Sequence, residues 1–100
     1  MAITPLPGLV TVVTTGGTPV TVVPAGPSGG LITNPLLASD QGIANAEPLY
    51  INIISNATLQ GNVTTFALQP GQSWNVIPGQ TTSTSANATT NGHAFTAVYW

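Results

Sequence analysis

Residues branched at Cβ dominate this sequence, and they limit the folds that the chain can adopt. Threonine, valine and isoleucine together account for 32 of the 100 residues. Their side chains suit the pleated surface of a β-sheet, and their stiff χ1 rotamers lower their helix propensity. No segment repeats apolar residues at the helical period over several turns. We therefore predict an all-β chain.

Turn signals divide the apolar segments into about seven or eight short strands. The predicted strands cover residues 9–15, 18–23, 31–33, 49–55, 63–68, 73–77 and 94–100, and the polar segment 81–90 is either a strand or a loop. Between residues 36 and 45 at most one helical turn is expected. Short strands with a turn every 8–12 residues are typical of a small antiparallel β-sandwich or barrel. We expect residues 9–100 to form this single domain, preceded by an extended arm over residues 1–8.

Glycine and proline pairs predict the type of several turns. Residues 69–72 and 77–80 both read x-Pro-Gly-Gln, which fits a type II turn with glycine at positive φ. Gly16-Gly17 and Asn91-Gly92 are dipeptides typical of two-residue β-hairpins, so each predicts a hairpin between its flanking strands. Pro19 cannot donate a ladder hydrogen bond, which predicts that the strand after it lies at a sheet edge.

The charge content excludes several classes of function. The chain has no Lys or Arg, and its net charge is −2. Without cations it cannot neutralise phosphates, so we expect no nucleic-acid partner and no anionic membrane surface. No apolar stretch is long enough for a transmembrane helix, and the first residues lack the basic and apolar regions of a secretory signal. We therefore expect synthesis in the cytoplasm, and the absence of cysteine excludes disulfides and thiolate metal sites.

Few side chains could carry out catalysis. His93 is the one histidine, and Asp40 and Glu47 are the two carboxylates. A nucleophilic site needs an activated Ser or Thr beside the histidine, and no nucleophile-elbow pattern is present. A glycosidase would have to use both carboxylates, and no ligand spacing supports a metal site made of all three residues. We expect structural roles for them, no enzyme activity, no cofactor and no metal.

Six aromatic residues are expected to form mainly the core, although they could also form a sugar-stacking platform. Trp100 is the unusual one, because an indole at the end of the last strand must dock either in its own domain or against a neighbour. The arm has no strand pattern and is stiffened by two prolines, so we expect it to reach neighbouring molecules. The candidate interface residues are Ile3, Pro5, Leu6, Pro7 and Trp100.

Three segments carry a resemblance to a known class of proteins. They are residues 47–52 (EPLYIN), residues 66–74 (FALQPGQSW) and residues 91–100 (NGHAFTAVYW). Together they resemble small β-rich accessory proteins of bacteriophage and prophage virions. The resemblance implies a capsid decoration or cement protein on the capsid exterior. It also implies two kinds of partner, the major capsid protein and the protein's own copies, often as a homotrimer.

Two hypotheses about function follow. In the first, the protein is a non-enzymatic virion component that binds the outer surface of a phage capsid and stabilises it. The nearly uncharged composition favours this hypothesis, since Thr, Asn and Gln can be buried at an interface without the desolvation cost of ions. In the second, it is a phage tail, fibre or cell-surface module that binds a glycan or receptor through exposed aromatic residues.

Overall fold

A computed structural model of the chain describes residues 10–13, 15–59 and 64–100, and within them the protein is all-β as predicted. The strands are β1 (Val10–Val13), β2 (Val20–Val23), β3 (Gly30–Thr33), β4 (Leu49–Asn52), β5 (Thr65–Leu68), β6 (Ser73–Asn75), β7 (Thr84–Asn87) and β8 (His93–Tyr99). The one helix among the described residues, α1 (Ala38–Gln41), is a single turn. It ends where Gly42 adopts a φ of 72°, a conformation that glycine takes without steric cost.

The strands form two four-stranded sheets that pack face to face. The first sheet has the order β1-β8-β3-β6 and the second has the order β2-β7-β4-β5, and every strand pairing is antiparallel. In this order the chain alternates between the sheets at almost every step, and only β4 and β5 are consecutive neighbours. Eight strands wound in this way form a jelly-roll β-sandwich.

Both predicted two-residue hairpins are wrong, because each of these dipeptides connects different sheets. Gly16-Gly17 lies between β1 of the first sheet and β2 of the second, and Asn91-Gly92 lies between β7 and β8. The two turns are neighbours at one end of the sandwich. Gly16 N donates to Asn91 Oδ1 at 2.6 Å, and Gly92 N donates to Val13 O at 2.8 Å. The Gly16-Gly17 turn is closed by its own hydrogen bond from Thr18 N to Thr15 O at 3.0 Å, and the two crossings are also bonded to each other.

The other turn predictions agree with the structure. In the Gln69–Gln72 turn Gly71 has a φ of 88°, and Gln72 N donates to Gln69 O at 2.9 Å. The Ile77–Gln80 turn repeats this geometry with Gly79 at a φ of 73°. β2, which follows Pro19, is an edge strand of the second sheet as expected. These predictions succeeded because a proline and a glycine fix the backbone locally, whatever the strands do afterwards.

The core lies between the two sheets and consists mostly of the alternating inward residues of each strand. Phe95 and Ala97 of β8, Ile32 of β3 and Leu49 and Ile51 of β4 are all buried. Phe66 of β5 and Trp74 of β6 contact each other with ring centroids 5.6 Å apart. These two strands are the edges of different sheets, so the aromatic pair packs between the sheets at one edge of the sandwich.

The middle of the outer face of the second sheet is covered by the chain itself. Asn52, Ser85 and Asn87 point away from the core yet are almost inaccessible, because the loop after β4 lies over them. Ser85 Oγ accepts a hydrogen bond from Ala57 N at 2.7 Å and lies 3.0 Å from Ser55 O, to which it donates. Asn87 Nδ2 donates to Ala57 O at 3.0 Å. The polar segment 81–90 thus contains a central strand that is buried on both faces.

Candidate functional site

The titratable residues that the sequence singles out meet in a buried polar cluster at one end of the sandwich. His93 opens β8 and occupies an inward position, in alternation with Phe95 and Ala97. Asn34 follows β3 directly, Gln41 ends α1, and Glu47 precedes β4. His93, Asn34 and Gln41 are completely inaccessible, while the Glu47 side chain is 15% exposed. The connection between β3 and β4 therefore folds back over the start of β8.

Asn34 is the centre of the hydrogen-bond network in this cluster. Its Nδ2 donates to the main-chain oxygens of Glu47 at 3.0 Å and Leu68 at 2.9 Å. Its Oδ1 accepts from Gln41 Nε2 at 3.1 Å and lies 2.8 Å from His93 Nε2. All four hydrogen-bonding positions of the amide are occupied, so the orientation of Asn34 is fixed by its partners.

This network also fixes the tautomer of His93. Asn34 Oδ1 can only accept, so His93 Nε2 must carry the proton and donate it. In the neutral ring Nδ1 is then an unprotonated acceptor. It lies 3.5 Å from Glu47 Oε2 and has no hydrogen-bond partner. Burial lowers the pKa of His93 below its usual 6.5, although the nearby carboxylate of Glu47 opposes the shift. The ring is therefore neutral at pH 7.

Glu47 remains ionised in spite of its position. Partial burial alone would raise the pKa of its carboxyl group, but hydrogen bonds from Thr90 and Thr89 outweigh this and lower the pKa below 4.5. Oε2 accepts the main-chain N–H groups of Thr89 at 2.9 Å and Thr90 at 3.1 Å. The carboxylate thus connects the segment between β7 and β8 to the residues before β4 by hydrogen bonds.

The cluster resembles part of a catalytic triad, with an acid beside a histidine, but the partner of the other ring nitrogen is not a nucleophile. His93 Nε2 faces the amide oxygen of Asn34, and the ring is inaccessible to a substrate. Asp40 lies exposed on α1, away from this interior. Within residues 10–13, 15–59 and 64–100, no three His, Asp or Glu side chains are grouped closely enough to hold a metal ion. The geometry suits a structural role that joins four chain segments.

Asn34 and Gln41 are the members of the cluster that sequence reasoning missed. Both lie in the irregular segment after β3, where amide residues are ordinarily explained by turns. A single sequence carries no signal that would mark them as fully buried. Their importance depends on β8 and β4 being brought together by the sheet order, which neither residue encodes locally.

Of the five predicted interface residues, the structure describes Trp100. Ile3, Pro5, Leu6 and Pro7 lie outside the described residues, so their roles remain predictions. Trp100 docks within its own domain: its main-chain N donates to Gly29 O at 3.1 Å, and Ser28 N donates to Trp100 O at 2.6 Å. Its ring lies so close to Gly29 that an added Cβ there would be 3.0 Å from the indole. Trp100 as a whole residue is 40% exposed.

The fold and the cluster together define a class: a jelly-roll domain with almost no charge, whose histidine and glutamate belong to its structural framework. Comparisons with protein-family models, with curated proteins and with solved structures found no match for the chain. Among the described residues, no helix is long and apolar enough to cross a membrane. The function must therefore be inferred from the surface and the interior of this domain.

Proposed function

We propose that the protein is a non-enzymatic structural component of a virion, a decoration protein that binds the outer surface of a phage capsid and stabilises it. One observation carries the proposal: the surface of this jelly roll exposes large apolar side chains while the chain has no cation at all. The exposed apolar residues include Leu36, Leu37, Ile54, Ile77 and Trp100. Such a surface is suited to burial against other protein rather than to long-range attraction of a charged ligand.

The interior supports a structural role in a second way. Burial removes the His93 ring from water. Hydrogen bonds compensate for this loss, because four chain segments meet at the side-chain amide of Asn34 and occupy all of its hydrogen-bonding positions. A fully bonded polar network of this kind stiffens a small domain and specifies one arrangement of its loops. The jelly-roll fold itself occurs in viral capsid proteins and in lectins, so it is compatible with the proposal without deciding it.

The proposed partners are the major capsid protein and other copies of this chain, as homotrimers on the capsid exterior. The arm residues Ile3, Pro5, Leu6 and Pro7 would reach neighbouring molecules, and Trp100 would contribute its exposed part. Because hardly any charge is present, binding should change little between low and high salt. Salt-independent binding is therefore the expected signature of this interface.

The test is a count of copies in purified particles. We expect quantitative mass spectrometry of gradient-purified virions from the source to find hundreds of copies, scaling with the major capsid protein. Binding of the purified protein to capsids that lack it should restore their heat stability at both 50 mM and 500 mM NaCl. Deletion of residues 2–8 should reduce occupancy while leaving the circular dichroism spectrum unchanged. Absence from the particle would refute the proposal, and unchanged occupancy of the deletion variant would refute the role of the arm.

A second candidate is a glycan-binding module of a phage tail, a fibre or a cell surface. The observation that favours it is the partial exposure of Trp100, whose indole rests on Gly29 and could stack on a sugar ring. Titration with neutral oligosaccharides, followed by tryptophan fluorescence, separates the two candidates. A saturable change that the Trp100→Ala variant loses would favour the glycan module, whereas no response would count against it.

A further inference from the structure

The two outer faces of the sandwich differ in how they are covered. On the second sheet, the outward residues Asn52, Ser85 and Asn87 are buried beneath residues 53–58 and bonded to them. On the first sheet, the outward residues remain accessible in the described part of the chain. Val12 is 38% exposed, and Leu31 and Val98 are half-buried. The outer face of the second sheet is thus partly covered by residues 53–58, whereas the described outward residues of the first sheet are not covered by such a segment.

The register of the first sheet shows what this open face presents. Leu31 lies opposite Val98 on one side and Asn75 on the other, and Thr33 likewise lies between Thr96 and Ser73. Cross-strand partners point to the same face of a sheet, so these residues form two adjacent rows. Val12 pairs with Ala94 beyond one row, and Trp100 lies over Gly29 beyond the other. We call this surface the open face, and no ionisable side chain belongs to it.

We propose that the open face is covered by a second copy of this chain. A charged side chain of any partner would lose its hydration against the open face and find no counter-ion there, a cost of several kcal/mol per buried ion. The partner surface must therefore be uncharged as well. Ordinary domains have about 25% charged residues, whereas this chain has 2%. Another copy of this chain is therefore a partner whose surface is almost entirely uncharged.

The size of the open face indicates how strong this association is. The four strands contain 4, 7, 4 and 3 residues. At about 4.8 Å between strands and about 3.4 Å per residue they give a face of roughly 300 Å². A standard interface buries about 800 Å² on each partner. The open face alone is smaller than that, so it supports a weak, concentration-dependent association of the free protein. The inference concerns copies in solution and does not depend on a capsid being the final partner.

Sedimentation velocity of the purified full-length protein between about 1 and 500 μM tests the proposal. We expect the mean mass to rise with concentration for the unmodified protein. Val98→Lys places a cation at the centre of the open face and should weaken the association at least tenfold. Ala67→Lys is the matched control, because Ala67 is exposed on the other sheet and the substitution adds the same charge. Circular dichroism and urea unfolding establish that both variants are folded.

A second measurement keeps the test decisive if Val98→Lys does not fold. In a Trp74→Phe variant the fluorescence reports Trp100, which should shift to shorter wavelength as the copies associate and the indole is covered. A monomer across the whole concentration range would overturn the proposal. The proposal would also be overturned if Val98→Lys left the association intact or if Ala67→Lys weakened it equally. The same holds if the emission maximum of Trp100 did not move while the mean mass rose. Loss of capsid binding with self-association intact would refute only the proposed function.

Discussion

Asn34→Ala is the substitution that most directly tests the role of the buried cluster. The amide makes four hydrogen bonds and is completely inaccessible. Gln41 Nε2 would keep two other acceptors, the main-chain oxygens of Pro35 and Glu47. His93 Nε2 would lose its partner, and the Leu68 oxygen would lose the donated side-chain bond. Substitution by alanine therefore disturbs two buried groups at once.

The expected loss of stability follows from these two groups. Leaving His93 Nε2 without a partner costs about 1–3 kcal/mol and losing the bond to the Leu68 oxygen about 1 kcal/mol, so we expect a total loss of about 3 kcal/mol. A 100-residue domain has a total stability of about 5–15 kcal/mol, and the variant should still fold. With a urea dependence of about 1–1.5 kcal/mol/M for a domain of this size, the unfolding midpoint should fall by about 2–3 M.

The assay is equilibrium unfolding in urea at pH 7, followed by tryptophan fluorescence and by circular dichroism. Asn45→Ala is the matched control, because Asn45 is exposed in the same connection between β3 and β4. The control should remain within about 0.5 kcal/mol of the unmodified protein. A loss below about 1 kcal/mol for Asn34→Ala, or an equal loss for the control, would refute the argument that the network holds this end of the sandwich together.

Three further predictions follow from other contacts. The pKa of His93 is lowered by burial from 6.5 and that of Glu47 is lowered from 4.5, so the folded state resists protonation of both. The free energy of unfolding should be highest above about pH 6.5, decrease as the pH falls through the titration of His93, and decrease again below about 4.5. The measurement is the urea midpoint from pH 4 to 8, where His93→Gln should abolish only the first decrease. Ser85→Ala removes two buried hydrogen bonds beneath the loop after β4 and should cost about 2 kcal/mol, with faster amide hydrogen exchange in residues 53–58. Equal exchange in the variant and the unmodified protein would contradict that role. In Gly30→Ala the new Cβ would lie 2.4 Å from the main-chain oxygen of Val98, so we expect no folded protein by circular dichroism. Gly26→Ala is the control: Gly26 has open space around it, so this variant should fold with only a modest loss of stability.

Acid sensitivity and self-association involve separate parts of the molecule. The open face contains no ionisable side chain, whereas His93 and Glu47 lie at the end of the sandwich. Association of folded copies should therefore be the same at pH 7 and pH 8. A pH-dependent association within that range, measured by sedimentation velocity, would show that ionisable groups take part in the interface.

The sequence by itself determined the all-β class, most of the strands and the two turns that contain Pro-Gly. β-branched residues favour strands at most positions, and the two Pro-Gly turns at residues 69–72 and 77–80 depend on dihedral preferences within four residues. The limit of one helical turn between residues 36 and 45 agrees with α1 and followed from the absence of helical periodicity. All of these features depend on neighbours along the chain, so no knowledge of the sheet order was needed.

Only the tertiary structure decided which strands pair and which polar groups are buried. Gly16-Gly17 and Asn91-Gly92 have the local chemistry of hairpins, yet each crosses between sheets, because the core is closed by strands that are distant along the chain. Segment 81–90 is polar in composition, but its strand is buried because residues 53–58 supply partners for Ser85 and Asn87. Glu47 and His93 are 46 residues apart in the sequence, yet their side chains are neighbours and both residues are bonded to Asn34. Burial of polar groups depends on long-range partners, and a sequence read locally does not contain them.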